Sequence, residues 1–301
     1  MYKATVLMTG ASGFIGKHLI EYFTQQQYLV IALSRKNNKI SSKKNLVWVK
    51  DFAEIQTTQI DYVVNLAGEN IGKGRWTDFR KQALIYSRVN LTLSLYQWLE
   101  RNAVHPKCII SGSAIGYYGI DPSERWNAVL DETAPAQDIF MSELCQKWEN
   151  TALSFAEQNT KIIRLGVVFA KQGGALAQML LPIRFNLFKK IATGHQPIVW
   201  VHIEDVIRCI EFLFDHHSTQ KIYNLVAPEM IMQKQFAEAA ANILGKKPLF
   251  NCPEKWLKLL LGEQSQLVLN GQYVIPKALI QEGFHFKYYV LESALNDLLS
   301  I

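Results

Sequence analysis

The chain lacks any run approaching the roughly 20 consecutive apolar residues that a membrane-spanning helix needs, and its apolar segment Trp256 to Leu261 is interrupted by Lys258. No membrane partner is expected. Cysteine is scarce: Cys108, Cys145, Cys209 and Cys252 stand far apart and form no Cys-x-x-Cys pair, which argues against a disulfide framework and against a metal site. The chain begins directly on a strand-like run with no signal-peptide pattern, so the cytoplasm is the expected compartment. Repeats and low-complexity tracts are absent as well. The net charge of +6 is spread along the chain except around residues 35–44, and no nucleic-acid recognition motif accompanies it, so no nucleic-acid partner is expected. What the 301 residues do contain is 49% hydrophobic side chains, ample for one large α/β domain with a small appendage.

Met8 to Gly16 reads Met-Thr-Gly-Ala-Ser-Gly-Phe-Ile-Gly and sets Gly10, Gly13 and Gly16 between an apolar strand, Ala4 to Met8, and an amphipathic helix, Ile15 to Gln26. Such a turn seats a dinucleotide pyrophosphate. Gly10 is expected to let the chain turn off the strand, Gly13 to let backbone approach phosphate, and Gly16 to let the helix pack closely. The free N–H groups and positive dipole end of the helix then hold the anion without a charged side chain. The expected cofactor contacts in this turn are Gly10, Ser12, Gly13, Phe14, Ile15 and Gly16.

A second absence bears on which dinucleotide is bound. The strand Tyr28 to Leu33 ends in Ser34-Arg35-Lys36, with no acid to accept from a ribose 2′-hydroxyl. A hydroxyl and two cations stand there instead. Because guanidinium forks onto phosphate oxygens, Ser34 and Arg35 favour NADP over NAD. Leu66, Ala67 and Gly68, at the end of the fourth strand, complete the expected cofactor contacts.

Apolar, β-branched runs at Leu46 to Val49, Asp61 to Leu66, Cys108 to Ser111 and Ile162 to Leu165 alternate with helical patterns at about Thr77 to Glu100 and Ile139 to Phe155. Alternation of this kind predicts a Rossmann-like, doubly wound parallel sheet. Residues 1–230 are expected to form the NADP-binding domain, with an excursion near 173–197 contributing to the substrate side. Ile198 to Asp205 and the helix after it are expected to return to the sheet, with Glu204 and Asp205 capping or charging that helix start. Residues 231–301 are expected to form a small, mostly helical cap, with helices near Gln233 to Leu244, Pro253 to Leu260 and Leu291 to Leu299.

The Gly-x-x-Gly-x-x-Gly spacing resembles the short-chain dehydrogenase/reductase superfamily, in particular its extended, epimerase-like branch. That resemblance implies a Tyr and a Lys four residues apart on one helix, with a strand-borne hydroxyl. Ser113 matches the hydroxyl, but Phe140 to Glu149 contains no Tyr-x-x-x-Lys pair. Tyr273 and Lys277 have the spacing, yet Pro276 keeps them off a shared helical face. Candidate replacements are Tyr117 and Tyr118, on a glycine-flanked loop after Ser113, at the sheet edge where ligands bind. Glu69, Arg75, Lys147 and Arg164 are further polar candidates. Each of these polar residues has an ordinary structural reading beside the functional one.

Asn65 to Ile71, Gly74 to Thr77, Ser87-Arg88-Val89, Ser113 to Gly119, Cys145 with Trp148-Glu149, Gly173 to Leu176 and Trp200 to Asp205 together resemble an atypical nucleoside-diphosphate-sugar epimerase-like family. That family carries a short C-terminal domain of unknown function, which Leu249 to Leu298 resembles. The resemblance spans essentially the whole chain and implies an NADP-binding fold. Two functions stand open. One is an NADP-dependent oxidoreductase or epimerase acting on a small, nucleotide-linked substrate in a cleft between sheet edge and cap. The other is an NADP-sensing regulatory protein with reduced catalysis. The long helix after the fourth strand also suits packing against its twin in a homodimer.

Overall fold

The computed structural model describes residues 1–34 and 43–300; Arg35 and Lys36 lie outside the described residues. Seven strands form the central sheet: β1 (Thr5–Thr9), β2 (Leu29–Leu33), β3 (Leu46–Val49), β4 (Tyr62–Asn65), β5 (Cys108–Ala114), β6 (Thr160–Leu165) and β7 (Ile222–Leu225). They run in the order β3-β2-β1-β4-β5-β6-β7, and every neighbouring pair is parallel. The chain leaves β1 in one direction for β2 and β3 and in the other for β4 onwards. Between β1 and β4 therefore lies the switch point, where ligands settle over the carboxyl ends of such sheets.

Period-two alternation assigns the two faces. Val6 and Met8, Val30 and Ala32, and Tyr62 and Val64 point to one side, onto helices α1 (Phe14–Gln25) and α5 (Ile203–Asp215). Leu7, Ile31, Val63 and Ile109 point to the other, onto α2 (Asp78–Arg101) and α3 (Phe140–Leu153). Both faces are thus covered, as an all-parallel sheet requires. The 24-residue helix α2 starts where the Thr77 hydroxyl accepts from the Arg80 amide, 3.2 Å away, and it buries Leu84, Leu95, Tyr96 and Leu99.

A second core forms beyond the sheet. There α4 (Leu176–Arg184) and α6 (Gln233–Ile243) pack with Phe169, Trp200 and the C-terminal helix Leu291–Leu299. The excursion near 173–197 therefore shares its core with the C-terminal segment. Helix α7 (Glu254–Leu261) has no buried residue, and Trp256, Leu259 and Leu260 are exposed. Among the described residues no helix is long and apolar enough to cross a membrane.

One expectation is corrected, and another holds in part: Glu204 and Asp205 do stand as acids in the first turn of α5, but neither caps it. The segment after Ile198 does not rejoin the main sheet: Trp200–His202 pairs only with Val167–Phe169, in a separate two-stranded sheet. The edge place is taken by β7, whose Tyr223 and Leu225 supply the buried contacts. The cap of α5 is His202, whose Nδ1 accepts from the Glu204 amide at 3.1 Å. Asp205 is instead fully buried and directed at the C-terminal segment. It accepts the Lys287 amide at 2.7 Å, the Tyr288 amide at 2.9 Å and the Arg208 guanidinium at 3.0 Å. Asp205→Ala leaves the buried Tyr288 amide and the part-buried Lys287 amide without that acceptor and is expected to cost about 2–3 kcal/mol, read from the urea midpoint.

Candidate functional site

The turn after β1 is shaped by contacts that leave no room for side chains. Gly10 lies at φ +67°, and a Cβ there would stand 2.6 Å from the Leu66 carbonyl, so the turn is pressed against the end of β4. Gly16 faces the Gly10 carbonyl and the Ala11 backbone, so its glycine serves closure of the loop itself rather than helix–sheet packing. The Gly13 amide donates to the Gly10 carbonyl at 2.8 Å. Helix α1 then begins with no side-chain cap and no acid in its first turn. The amides of Phe14, Ile15 and Gly16 are thereby left at a positive helix end, the arrangement that holds anions. Ser12 is half-buried in this turn, and the Phe14 ring lies under Gly173 and Gly174, whose added Cβ atoms would meet it at 2.8 Å. At the tip of β2, Ser34 is buried, with its amide 2.9 Å from the Val49 carbonyl.

A buried polar chain sits beneath this surface. The Thr9 hydroxyl donates to Asn65 Oδ1 at 2.7 Å and accepts the Ala67 amide at 3.3 Å. Asn65 Nδ2 donates to Thr92 at 2.9 Å and to Ser111 at 3.1 Å, and Trp148 Nε1 reaches Thr92 at 3.1 Å. Strands β1, β4 and β5 are thus locked at their carboxyl ends to α2 and α3.

Ser113, Tyr117 and Tyr118 come together around a buried ion pair that sequence reasoning missed. Arg164 on β6 grips Glu149 on α3 in bidentate fashion, at 2.9 and 2.8 Å, with both side chains under 5% exposed. The Ser113 hydroxyl donates to Glu149 at 2.5 Å. Tyr118 accepts from Arg164 at 2.9 Å and donates to Asn224 on β7 at 2.7 Å, and burial pushes its phenol up to about 12. Burial opposes the charge on Arg164, but its hydrogen bonds to Glu149, with the charge of that carboxylate, outweigh it and hold the guanidinium above its ordinary range. Tyr117 is half-buried, its ring face 3.3 Å from the Arg164 guanidinium, and its hydroxyl makes no hydrogen bond among the described residues. The signal for the pair was an arginine inside an apolar strand, which demands a carboxylate from elsewhere.

The face of α3 turned to this edge carries Met141, Cys145 and Glu149, one turn apart. A Cβ at Gly116 would lie 3.5 Å from Met141 Cβ and 3.8 Å from Cys145 Sγ. Burial raises the Cys145 thiol to about 11, so it is no thiolate nucleophile. Lys147 lies on the exposed face, 2.6 Å from Glu143, and Lys277 pairs with Asp131 at 2.6 Å, away from Tyr273. Glu69 pairs with Arg80. Arg75 donates to the Leu260 carbonyl at 3.0 Å and to the Leu259 carbonyl, holding the end of α7. The loop after β4 therefore carries both the Leu66–Gly68 edge and the anchor of the C-terminal region.

A sequence profile described as the NAD dependent epimerase/dehydratase family matches residues 6–225. The chain belongs to this family. Residues 252–298 match a domain of unknown function, DUF1731. An epimerase family protein of Staphylococcus epidermidis is 34% identical over 297 residues, covering 97% of this chain and 98% of the relative. The crystal structure of the human epimerase family protein SDR39U1 (isoform 2) with NADPH superposes with a TM-score of 0.88, at 29% identity and 98% coverage of both chains. MoeE5 in complex with UDP-glucuronic acid and NAD, at 18% identity and a TM-score of 0.75 over 97% of this chain and 96% of that one, shares the fold.

Glu149 is the keystone of the buried cluster in this epimerase-family site. Glu149→Ala strands the Arg164 charge and removes the partner of Ser113, and it is expected to cost about 3–5 kcal/mol in denaturant titration.

Proposed function

We propose that the chain binds NADP(H) across the carboxyl ends of β1 and β4 and transfers hydride to or from a small, nucleotide-linked substrate. The observation that carries this reading is the uncapped, acid-free start of α1, closed by Gly10, Gly13 and Gly16 against the Leu66 backbone. Ser34, Ala67 and Gly68 flank the same path. NADP in preference to NAD is supported by the sequence Ser34-Arg35-Lys36 that follows β2, which contains no acid, and by the NADPH with which the human relative was determined. A nucleotide-linked substrate is supported by the UDP-glucuronic acid with which the structural neighbour MoeE5 was determined.

When bound, the nicotinamide supplies the hydride chemistry. Of this chain's own groups, Tyr117 is the candidate proton donor, because its hydroxyl is uncommitted while Tyr118 is held between Arg164 and Asn224. Ser113, bonded inward to Glu149, orients the substrate oxygen through its lone pairs. A second reading, an NADP sensor with little catalysis, is favoured by the apolar pair Met141 and Cys145 on the helix face beside the end of β5.

Titration followed by nicotinamide fluorescence is expected to give NADPH a Kd at least about tenfold below that of NADH, with the gap closed by Arg35→Ala. Tighter NADH binding rejects the preference, and absence of any response rejects the site. In a screen of metabolites for NADP-linked hydride transfer, Tyr117→Phe is expected to lower kcat about 100-fold or more with NADPH affinity unchanged. Full turnover by Tyr117→Phe removes that role. Cofactor-dependent partner capture with no turnover on any compound supports the sensor.

A further inference from the structure

Arg88 lies on α2 with its guanidinium directly beside Gly68, where an added Cβ would meet Cζ at 2.9 Å. It stands 5.3 Å above the Trp148 ring. That ring in turn abuts Gly112, where an added Cβ would be 3.1 Å from Trp148 Cη2, one residue before Ser113. Arg88 therefore occupies the wall between the ends of β4 and β5. In a doubly wound sheet the adenosine half of a dinucleotide lies over β1 and β2, so the β4–β5 side receives the reactive half and its substrate.

The charge of Arg88 is not balanced where it sits. The side chain is half-buried, and among the described residues its hydrogen-bond partners are two neutral carbonyls: Nη1 donates to Leu84 at 3.1 Å and Nη2 to Glu69 at 3.0 Å. Among the described residues no carboxylate lies within ion-pair distance of it. Its two neighbouring arginines are treated differently, since Arg80 pairs with the Glu69 carboxylate and Arg164 with Glu149. Burial lowers the pKa of Arg88, and the one carboxylate that opposes this shift, Glu69, is itself paired with Arg80. The two carbonyls fix the guanidinium plane and leave the other N–H donors of the fork for a ligand.

We propose that Arg88 binds an oxyanion of the substrate, a carboxylate held beside the reacting carbon, and so selects acidic substrates at this site. The proposal rests on the NADP(H) reading for where the substrate sits. It also accounts for an edge whose α3 face offers Met141 and Cys145: the polar recognition missing from that helix comes from α2, which packs beside it.

The test uses malonate as the probe. NADPH-saturated protein is titrated with malonate, against sodium chloride at equal ionic strength, and nicotinamide fluorescence is followed for the wild type, Arg88→Met and Arg88→Lys. The wild type is expected to respond saturably. Malonate affinity is expected to fall at least about tenfold in Arg88→Met and several-fold in Arg88→Lys, which keeps the charge but loses the fork, while NADPH affinity stays within about twofold. The idea is overturned by a wild-type response no larger than that of salt, or by equal malonate affinity in the variants. It is also overturned by a loss of NADPH affinity of about tenfold or more in both variants, because the guanidinium then grips a cofactor phosphate. Should Arg88→Met fail to fold, Arg88→Lys decides. Should the wild type not bind NADPH at all, the parent reading falls, and the malonate-dependent shift in Tm of the three unliganded proteins decides the role of Arg88.

Discussion

The bidentate contact between Arg164 and Glu149 organises the sheet edge around Ser113, Tyr117 and Tyr118. Arg164 belongs to a strand flanked on both sides by others, and it meets a carboxylate from a helix lying on one face of that sheet. Two such charges taken out of water are tolerated only when their hydrogen-bonding capacity is filled. Here it is filled by Ser113 on one side and Tyr118 on the other, and through Tyr118 by Asn224. Asn224 extends the chain to the Ile275 carbonyl at 3.0 Å. Segments at residues 113–118, 149, 224 and 275 thus converge around one guanidinium.

The turn after β1 is built on the opposite principle. There the determinants are absences: no Cβ at Gly10 or Gly16, no acid in the first turn of α1, and no side-chain cap on its first amides among the described residues. The Thr9–Asn65 chain keeps the backbone in place beneath, so the anion seat comes from main-chain geometry and its rigidity from buried neutral hydrogen bonds. The buried charges, Arg164 and Glu149, lie instead toward the β5–β6 edge.

How far the sequence was legible follows from the range of each interaction. The glycine turn, α1 and the helix Leu291–Leu299 were readable because their determinants lie within a few residues of one another. The strand β7 was not, since Ile222 to Leu225 is a four-residue run whose place at the sheet edge is set by pairing with β6, about sixty residues earlier. Asp205 was read as a local helix charge, and its first-turn position permits that, but its oxygens are used by amides about eighty residues downstream. Nothing near Asp205 in sequence announces those partners. The same holds at the site: the cluster around Ser113 and Tyr118 was legible as a group, whereas the direction of each hydroxyl depended on Glu149 and Arg164.

The grip of Arg75 on helix α7 is addressed to carbonyl oxygens at the helix end, where a cation also meets the negative pole of the helix. Recognition of backbone is indifferent to side-chain identity. Positions 256, 259 and 260 are thereby released from any duty of holding the two parts of the chain together, and the join tolerates wide variation there so long as the segment still coils into a helix that ends at the same residue.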